Sequence, residues 1–223
     1  MKKIITIALS ACVAVLSLSA QTQKESIKNQ KQLSKYTEKQ LSEKASKDAR
    51  KMAKRYEKDG WVVAPGQLPL EKQLDRSYNM QYEISPEAAF KWVWYDAQSP
   101  GENYDAAKFQ AIELAKLGIA AQMQGELAAI IENTIGNEQL PKEHAASIAQ
   151  TIAASKDVIA AKLGRVIPIV ECYRDVVRKG KEVRVMVFYN KDEAMKAATE
   201  AVLEELEKRG EDLHSQLDKL LGM

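Results

Sequence analysis

The residue types that most often carry catalysis or bind metals are scarce in this chain, and they are not grouped. The two histidines, His144 and His214, have no second histidine or cysteine at ligand spacing, and neither HExxH nor CxxC occurs. The ten glycines form no GxGxxG, GxxxxGK(S/T) or GxSxG motif, so phosphate-cradling loops and a nucleophile elbow lack support. We therefore expect no metal, no cofactor and no catalytic residue.

Two other arrangements could in principle serve an enzyme. Cys172 is the only cysteine after the first 20 residues, and its place in a predicted strand favours a small buried apolar role. Glu171 and Asp175 could act as acid and base, and so could Asp192 and Glu193. Carboxylates at a strand edge or in a first helical turn are, however, explained by solvation and by the helix dipole. We expect a non-enzymatic protein.

Two patterns could bind a ligand instead. Residues 24–59 hold 12 Lys or Arg against 6 Asp or Glu, which is typical either of a solvated helix or of a basic surface for an anionic partner. Trp92 and Trp94 could stack on a glycan, although aromatics on one sheet face are also typical of a core. The candidate binding residues are Lys35, Lys39, Lys47, Arg50, Lys51, Lys54, Arg55, Trp92 and Trp94.

The elements that position these residues include a long helix predicted for residues 103–132. This stretch is rich in alanine, lacks proline and repeats large apolar residues at intervals of three and four. Because it is apolar nearly all round, we expect it to be buried at the centre of the fold. Further helices are predicted for residues 142–163 and from residue 191, where Asn190 and Glu193 form an N-terminal capping box.

The clearest strand signal is a hairpin predicted for residues 166–189, in which Pro168 marks an edge strand or a bulge. Weaker signals predict strands near residues 61–64 and 90–97, the latter ending at a turn in residues 99–101. Strand alternation places Trp92 and Trp94 on the same face. The sequence therefore predicts an α+β fold: a small, mostly antiparallel sheet packed by long Ala-rich helices, with a basic N-terminal helix.

The first 20 residues have the pattern of an export signal. Lys2 and Lys3 precede an apolar run over residues 4–18, and a small residue, Ala20, stands just before Gln21. We expect a periplasmic or secreted protein without a transmembrane segment after cleavage. The alternative is a lipoprotein anchored at Cys12, because LSAC at residues 9–12 resembles a lipobox.

The remaining chain divides by composition. We expect a signal peptide at residues 1–20, a basic helical segment at 21–59, an α+β domain at 60–209 and an amphipathic tail at 210–223. Without the signal, 31 basic residues face 31 acidic ones, so the overall charge predicts no nucleic-acid partner.

Several stretches together resemble LPP20-like cell-envelope proteins and related secreted proteins of gut Bacteroidetes. They are the export signal, the Ala-rich helix after a short strand (residues 92–132), IAASKDVIAAKLG, and the strands VECYRD and EVRVMVFY. The resemblance covers residues 90–206. It implies a non-catalytic surface or periplasmic component, often lipid-anchored, with no functional residues to transfer.

These observations predict an exported, non-catalytic envelope or secreted protein. It is expected to act by binding an envelope or extracellular protein, or by self-association as a homo-oligomer. One alternative is a binding module for an anionic polymer, a lipid or a glycan, through the basic N-terminal helix or the Trp92/Trp94 face. The other is a lipid-anchored surface protein.

Overall fold

A computed structural model describes residues 43–86, 88–136, 142–176 and 180–209. The chain divides into two compact units, Met1–Lys44 and Ala45–Met223, and all the described elements lie in the second. They are α1 (Lys47–Lys58), α2 (Leu70–Gln81), β1 (Trp92–Gly101), α3 (Tyr104–Gly136), α4 (Lys142–Ala154), α5 (Lys156–Lys162), β2 (Pro168–Val176), β3 (Gly180–Asn190) and α6 (Lys191–Lys208). The predicted signal peptide, Lys35, Lys39 and the amphipathic tail lie outside the described residues.

The three strands form one antiparallel sheet in the order β1-β3-β2, so the predicted α+β fold is confirmed. β2 is an edge strand that begins at Pro168, and its register shifts between Pro168 and Val170, as the proline predicted. The turn predicted at residues 99–101 is wrong, because β1 continues through Pro100 to Gly101.

One face of the sheet packs against α3 and α6, and α4 and α5 pack in turn on these two helices. Val93, Val185 and Val187 meet an alanine stripe on α3 that begins with Ala107 and Ala111. Small side chains on this stripe allow the long helix to lie close to the strands. The predicted central helix is present, but it is not buried all round: other large apolar residues of α3, among them Phe109, reach solvent.

The opposite face packs against α1 and α2 through a second core. Ala49 and Ala53 of α1 and Leu74 of α2 are buried there with Cys172 and Phe188 of the sheet. α1 is therefore part of the same compact unit as the sheet, and the basic segment expected at residues 21–59 ends inside this unit.

Two predicted elements differ from those observed. In place of a strand at residues 61–64, the structure has a single bridge between Val62 and Tyr173, because Pro65 and Gly66 turn the chain immediately afterwards. The helix predicted for residues 142–163 is interrupted at Ser155, where the Ser155 N–H and Oγ both donate to the carbonyl of Ile152. A side-chain hydroxyl that competes for a main-chain carbonyl favours such a break.

The last described helix begins where the capping box predicted. Asn190 is the N-cap of α6, and its Oδ1 accepts a hydrogen bond of 3.0 Å from the Glu193 N–H. The apolar side of α6, which includes Ala194, Ala198 and Val202, completes the first core.

Candidate functional site

The two edges of the sheet differ in how far their main-chain groups are satisfied. On β2, the N–H and C=O of Tyr173 are both bonded to Val62 at 2.8 Å. The neighbouring N–H of Glu171 donates to Oε1 of Gln73 at 2.7 Å. The outer edge of β2 is therefore covered by side-chain and main-chain partners from the preceding segment.

One hydrogen bond at the start of β1 shows which of its main-chain groups face away from β3. The Lys91 carbonyl accepts from the Lys191 N–H at 2.9 Å, which places Lys91 opposite Lys191 as a hydrogen-bonded pair. Such pairs alternate along an antiparallel ladder, and the β1–β3 register is unbroken. The odd-numbered residues of β1 therefore bond to β3, and the even-numbered residues direct their main-chain groups away from it.

The outward main-chain groups of β1 belong to residues such as Trp94, Asp96 and Gln98. Of the groups of these three residues, the described part of the chain gives a partner only to the Trp94 carbonyl, which accepts from Nε2 of Gln122 at 3.0 Å. Pro100 has the same outward phase, so its missing N–H removes no bond to β3. Within the described residues, β1 pairs with no strand other than β3 and has a free edge.

A cleft of about 310 Å³ lies at the first residues of β1. Its lining comes from both sides of the sheet, with the end of α2 and Phe90 on one side and α3 on the other. The lining residues are Gln81, Tyr82, Phe90, Trp92, Val93, Trp94, Gln122, Glu126 and Lys191. Since Gln122 reaches the outward carbonyl of Trp94, the cleft opens at the free edge of the strand.

Large apolar side chains around this cleft are exposed. Tyr82 is 74% exposed, Phe90 is 59% exposed and Trp94 is 37% exposed, and Ile84 stands beside them on the segment that bridges to Phe90. Contiguous exposed apolar side chains of this size are typical of interaction surfaces. We call these four residues the aromatic patch.

The two tryptophans are held in fixed orientations. The Trp92 Nε1–H donates to Glu83 at 2.7 Å, and Lys91 forms an ion pair of 2.6 Å with the same carboxylate. These hydrogen bonds, that from Lys91 first, hold the pKa of Glu83 below its ordinary value. Trp94 stacks on Phe188 with ring centroids 6.1 Å apart, and Trp92 packs against the second core, which contains Phe188. Both tryptophans therefore lie on one sheet face, as predicted.

The basic candidates lie elsewhere. Lys47, Arg50, Lys51, Lys54 and Arg55 are all exposed on α1, whose alanines pack inward. None of the five lines the cleft, so the structure does not bring them together with Trp92 and Trp94 in one site.

The candidate acid–base pair is also divided. Asp175 is exposed and pairs with Lys181 at 2.5 Å, whereas Glu171 is buried. The Glu171 Oε1 accepts hydrogen bonds from the Tyr104 hydroxyl, from Lys108 Nζ at 2.8 Å and from a third donor, Gln67 Nε2, at 2.9 Å.

The contacts in this buried cluster determine the protonation states of Glu171 and Tyr104. Burial opposes ionisation of Glu171, but the hydrogen bonds from Lys108, Tyr104 and Gln67 outweigh it and lower the pKa of the carboxyl. Burial and the bond to Glu171 raise the pKa of Tyr104 above its ordinary value. At neutral pH the carboxylate is therefore ionised, with three donors on its Oε1, and the phenol is protonated, which suits a structural tie between α3 and β2.

Cys172 has the buried position that the strand pattern predicted. Burial raises the pKa of its thiol to about 12, so the reactive thiolate is suppressed at neutral pH. Among the described residues, no group of three or more His, Cys, Asp or Glu is placed to hold a metal ion.

Several residues of the cleft carry no recognisable signal in the sequence. Tyr82 falls in a weakly alternating stretch, and Gln122 and Glu126 look like ordinary polar positions of the long helix. Their relevance comes from the crossing of α3 under β1, which local periodicity does not reveal.

Comparison of the chain with protein-family models, with curated proteins and with solved structures finds no match. Within the described ranges, no helix combines the length and the apolar character needed to cross a membrane. What supports a function is therefore the chemistry of the chain's own residues.

Proposed function

We propose that this chain is an exported, non-catalytic protein of the cell envelope, or a secreted one, that acts by binding another protein. The observation that carries the proposal is the aromatic patch beside the free edge of β1. Aromatic side chains with restrained rings lose little entropy on binding and are the commonest energetic anchors of protein interfaces.

The polar groups around the cleft support binding rather than catalysis. Glu126 pairs with Lys191 at 3.1 Å, and Glu83 pairs with Lys91 at 2.6 Å, so the carboxylates at this rim are neutralised by neighbours. A general acid or base needs a carboxyl group that can exchange protons near neutral pH. The lowered pKa of Glu83 is the opposite of what such a role requires.

Export is supported by the pattern of residues 1–20 and by the resemblance to LPP20-like envelope proteins. A mature chain that begins at Gln21 would be free in the periplasm or secreted. A mature chain that begins at a lipidated Cys12 would be tethered to a membrane surface, with the same domain facing its partner.

The proposal is tested by chemical cross-linking and affinity recovery of the tagged protein from the organism that produces it. We expect wild-type protein to recover a specific partner and Phe90→Ser to lose it. The matched control is Phe109→Ser, because Phe109 is 67% exposed on α3 and lies outside the cleft. Recovery of no partner by the wild-type protein, or equal recovery by Phe90→Ser, would contradict the proposal.

A second candidate is the binding of an anionic polymer or lipid to α1. Six Lys or Arg and two acidic residues occupy this short helix, and none of its cations takes part in an ion pair within the described residues. The triple change of Lys47, Lys51 and Lys54 to Gln separates the candidates. Salt-sensitive loss of the partner in this variant, with Phe90→Ser unaffected, would favour α1 over the aromatic patch.

A further inference from the structure

We infer that the partner presents an extended peptide segment, which adds to the free edge of β1 as a fourth strand of the sheet. The inference rests on the proposed function and names the chemical class of the partner at that same site. The outward N–H and C=O groups of Asp96 and Gln98 and the N–H of Trp94 point to it, together with the aromatic side chains on both sides of them.

Main-chain groups determine the class of ligand. Outward N–H and C=O pairs on an edge strand recur every second residue, roughly every 7 Å along the strand. Another extended polypeptide offers donors and acceptors with the same repeat, and this is how strand addition gains its affinity. A glycan or a lipid has no such repeat. At the other edge of the sheet, Val62 and Gln73 already bond to the main-chain groups of Tyr173 and to the Glu171 N–H.

The chain itself defines where an added strand would lie. Just before β1, the Lys91 N–H donates to the Glu83 carbonyl at 3.0 Å, so the segment after α2 reaches the start of the strand. Beyond this point, no described main-chain segment continues along the edge. At the far end Pro100 has no N–H to donate, which closes the open stretch. Within the described residues, the free edge therefore runs from Trp92 to Pro100.

Side chains of an added strand would meet aromatic surface on both faces. Trp94 and Phe90 stand on one face, and Tyr95, which is 40% exposed, stands on the other above Gly118 of α3. The charged residues at this rim are paired, Glu83 with Lys91 and Glu126 with Lys191, so the cleft offers no net charge to attract a charged ligand. The fitting segment is uncharged and carries apolar residues at successive positions near Trp94 and Tyr95.

The flanking helices favour a single segment over a second copy of this chain. The end of α2 supplies Tyr82 on one side of the edge, and α3 supplies Gln122 and Glu126 on the other. If the β1 strands of two copies paired across a two-fold axis, each copy would bring its own α2 and α3 to the space that the other copy's helices occupy. A lone extended segment brings no such helices with it.

The test uses peptides of about ten residues, the length of an ordinary strand, selected from a random library against the intact exported protein. Amide hydrogen exchange is followed by NMR with and without a selected peptide. We expect the amides of Trp94, Asp96 and Gln98 to exchange at least about tenfold more slowly in the complex. The amides of Val93 and Tyr95, which already bond to β3, serve as the internal reference.

Two variants at one position supply the matched comparison. Gln98→Pro removes one outward N–H donor. Pro100, whose main chain also faces outward, shows that β1 accommodates proline at such a position. We expect about tenfold weaker peptide binding, as for one lost hydrogen bond. Gln98→Ala keeps the donor and is expected to bind as the wild type does. Thermal unfolding of both variants shows whether the sheet remains intact.

Strand addition is overturned if peptides bind without protecting the outward amides, or if Gln98→Pro binds as well as Gln98→Ala. Failure to select any peptide, while a glycan or vesicle probe binds in a Phe90-dependent way, also overturns it. If strand addition fails but cross-linking still recovers a partner that depends on Phe90, the proposed function stands. If no partner is recovered, the proposed function itself fails.

Discussion

Gln122 of α3 donates a hydrogen bond of 3.0 Å from its side chain to the main-chain carbonyl of Trp94, on the side of β1 that faces away from β3. This contact joins the long helix to the free edge of the sheet. It also occupies an acceptor that an added strand would use.

The change Gln122→Ala tests this relationship. Because Gln122 is exposed, we expect the free energy of unfolding to fall by no more than about 1 kcal/mol. With the competing donor removed, a selected peptide should bind about two- to fivefold more tightly, which calorimetry would measure. Weaker binding of the peptide would show that Gln122 contacts the ligand instead of competing with it.

Gly118 on α3 allows Tyr95 of β1 to lie against the helix. A Cβ at this position would stand 2.3 Å from the tyrosine ring, well inside contact distance. We expect Gly118→Ala to destabilise the fold by about 1–3 kcal/mol, measured by urea denaturation. Adding Tyr95→Ala should recover part of this loss, since the two changes act on one contact. If the losses in unfolding free energy of the two single variants simply add in the double variant, Gly118→Ala destabilises the fold by some effect other than a clash with Tyr95.

The Glu171 cluster predicts a pH dependence of stability. The folded-state pKa of Glu171 lies below its ordinary value of 4.5, so its contribution is present above that value and is lost as the pH falls through the folded-state pKa. At pH 7 we expect Glu171→Gln to cost about 2 kcal/mol, because Lys108 loses its anionic partner.

Once the pH falls through the lowered folded-state pKa of Glu171, the wild-type carboxyl becomes neutral, like the amide in the variant. The difference in unfolding free energy between wild type and Glu171→Gln should therefore shrink as the pH falls from 7 to 3. Urea denaturation of the two proteins across this range gives the comparison. A difference that stayed constant would mean that the charge of Glu171 does not contribute to folding.

Most of the fold follows from periodicity and from end signals. The alanine-rich repeat of α3, the β-branched hairpin and the Asn190 capping box are local patterns, and the structure has all three. The predicted elements that differ from the structure are those in which tertiary or side-chain contacts override local preference. Ser155 breaks a helix by bonding to Ile152, and Val62 bridges to Tyr173 without continuing as a strand.

The sequence predicts the shared face of the two tryptophans in the candidate site but not the free edge beside them. Alternation placed Trp92 and Trp94 on one face, because the two-residue period of a strand is visible in the sequence. The free edge was not foreseen, since the strand order depends on which pairs form across about 90 residues of chain. The outward phase of Pro100 could have suggested an edge, but only once β1 was known to include it.

The export pattern of residues 1–20 predicts a cleaved N-terminus, and the position of cleavage would determine whether the domain is free or membrane-anchored. We predict an intact mass that corresponds to a chain starting at Gln21, recovered in a soluble fraction. Mass spectrometry with N-terminal analysis of protein from its natural source measures this directly. A lipid-modified chain starting at Cys12 in the membrane fraction would replace the soluble form with the anchored one.

The most direct test of the account is site-specific photo-cross-linking in the producing organism. A photoreactive amino acid is placed at Gln98, on the free edge of β1, and in a separate variant at Phe109, on the exposed side of α3. We predict an adduct between Gln98 and another polypeptide, with no such adduct from Phe109. No adduct from Gln98, or the same adducts from both positions, would contradict partner binding at this edge.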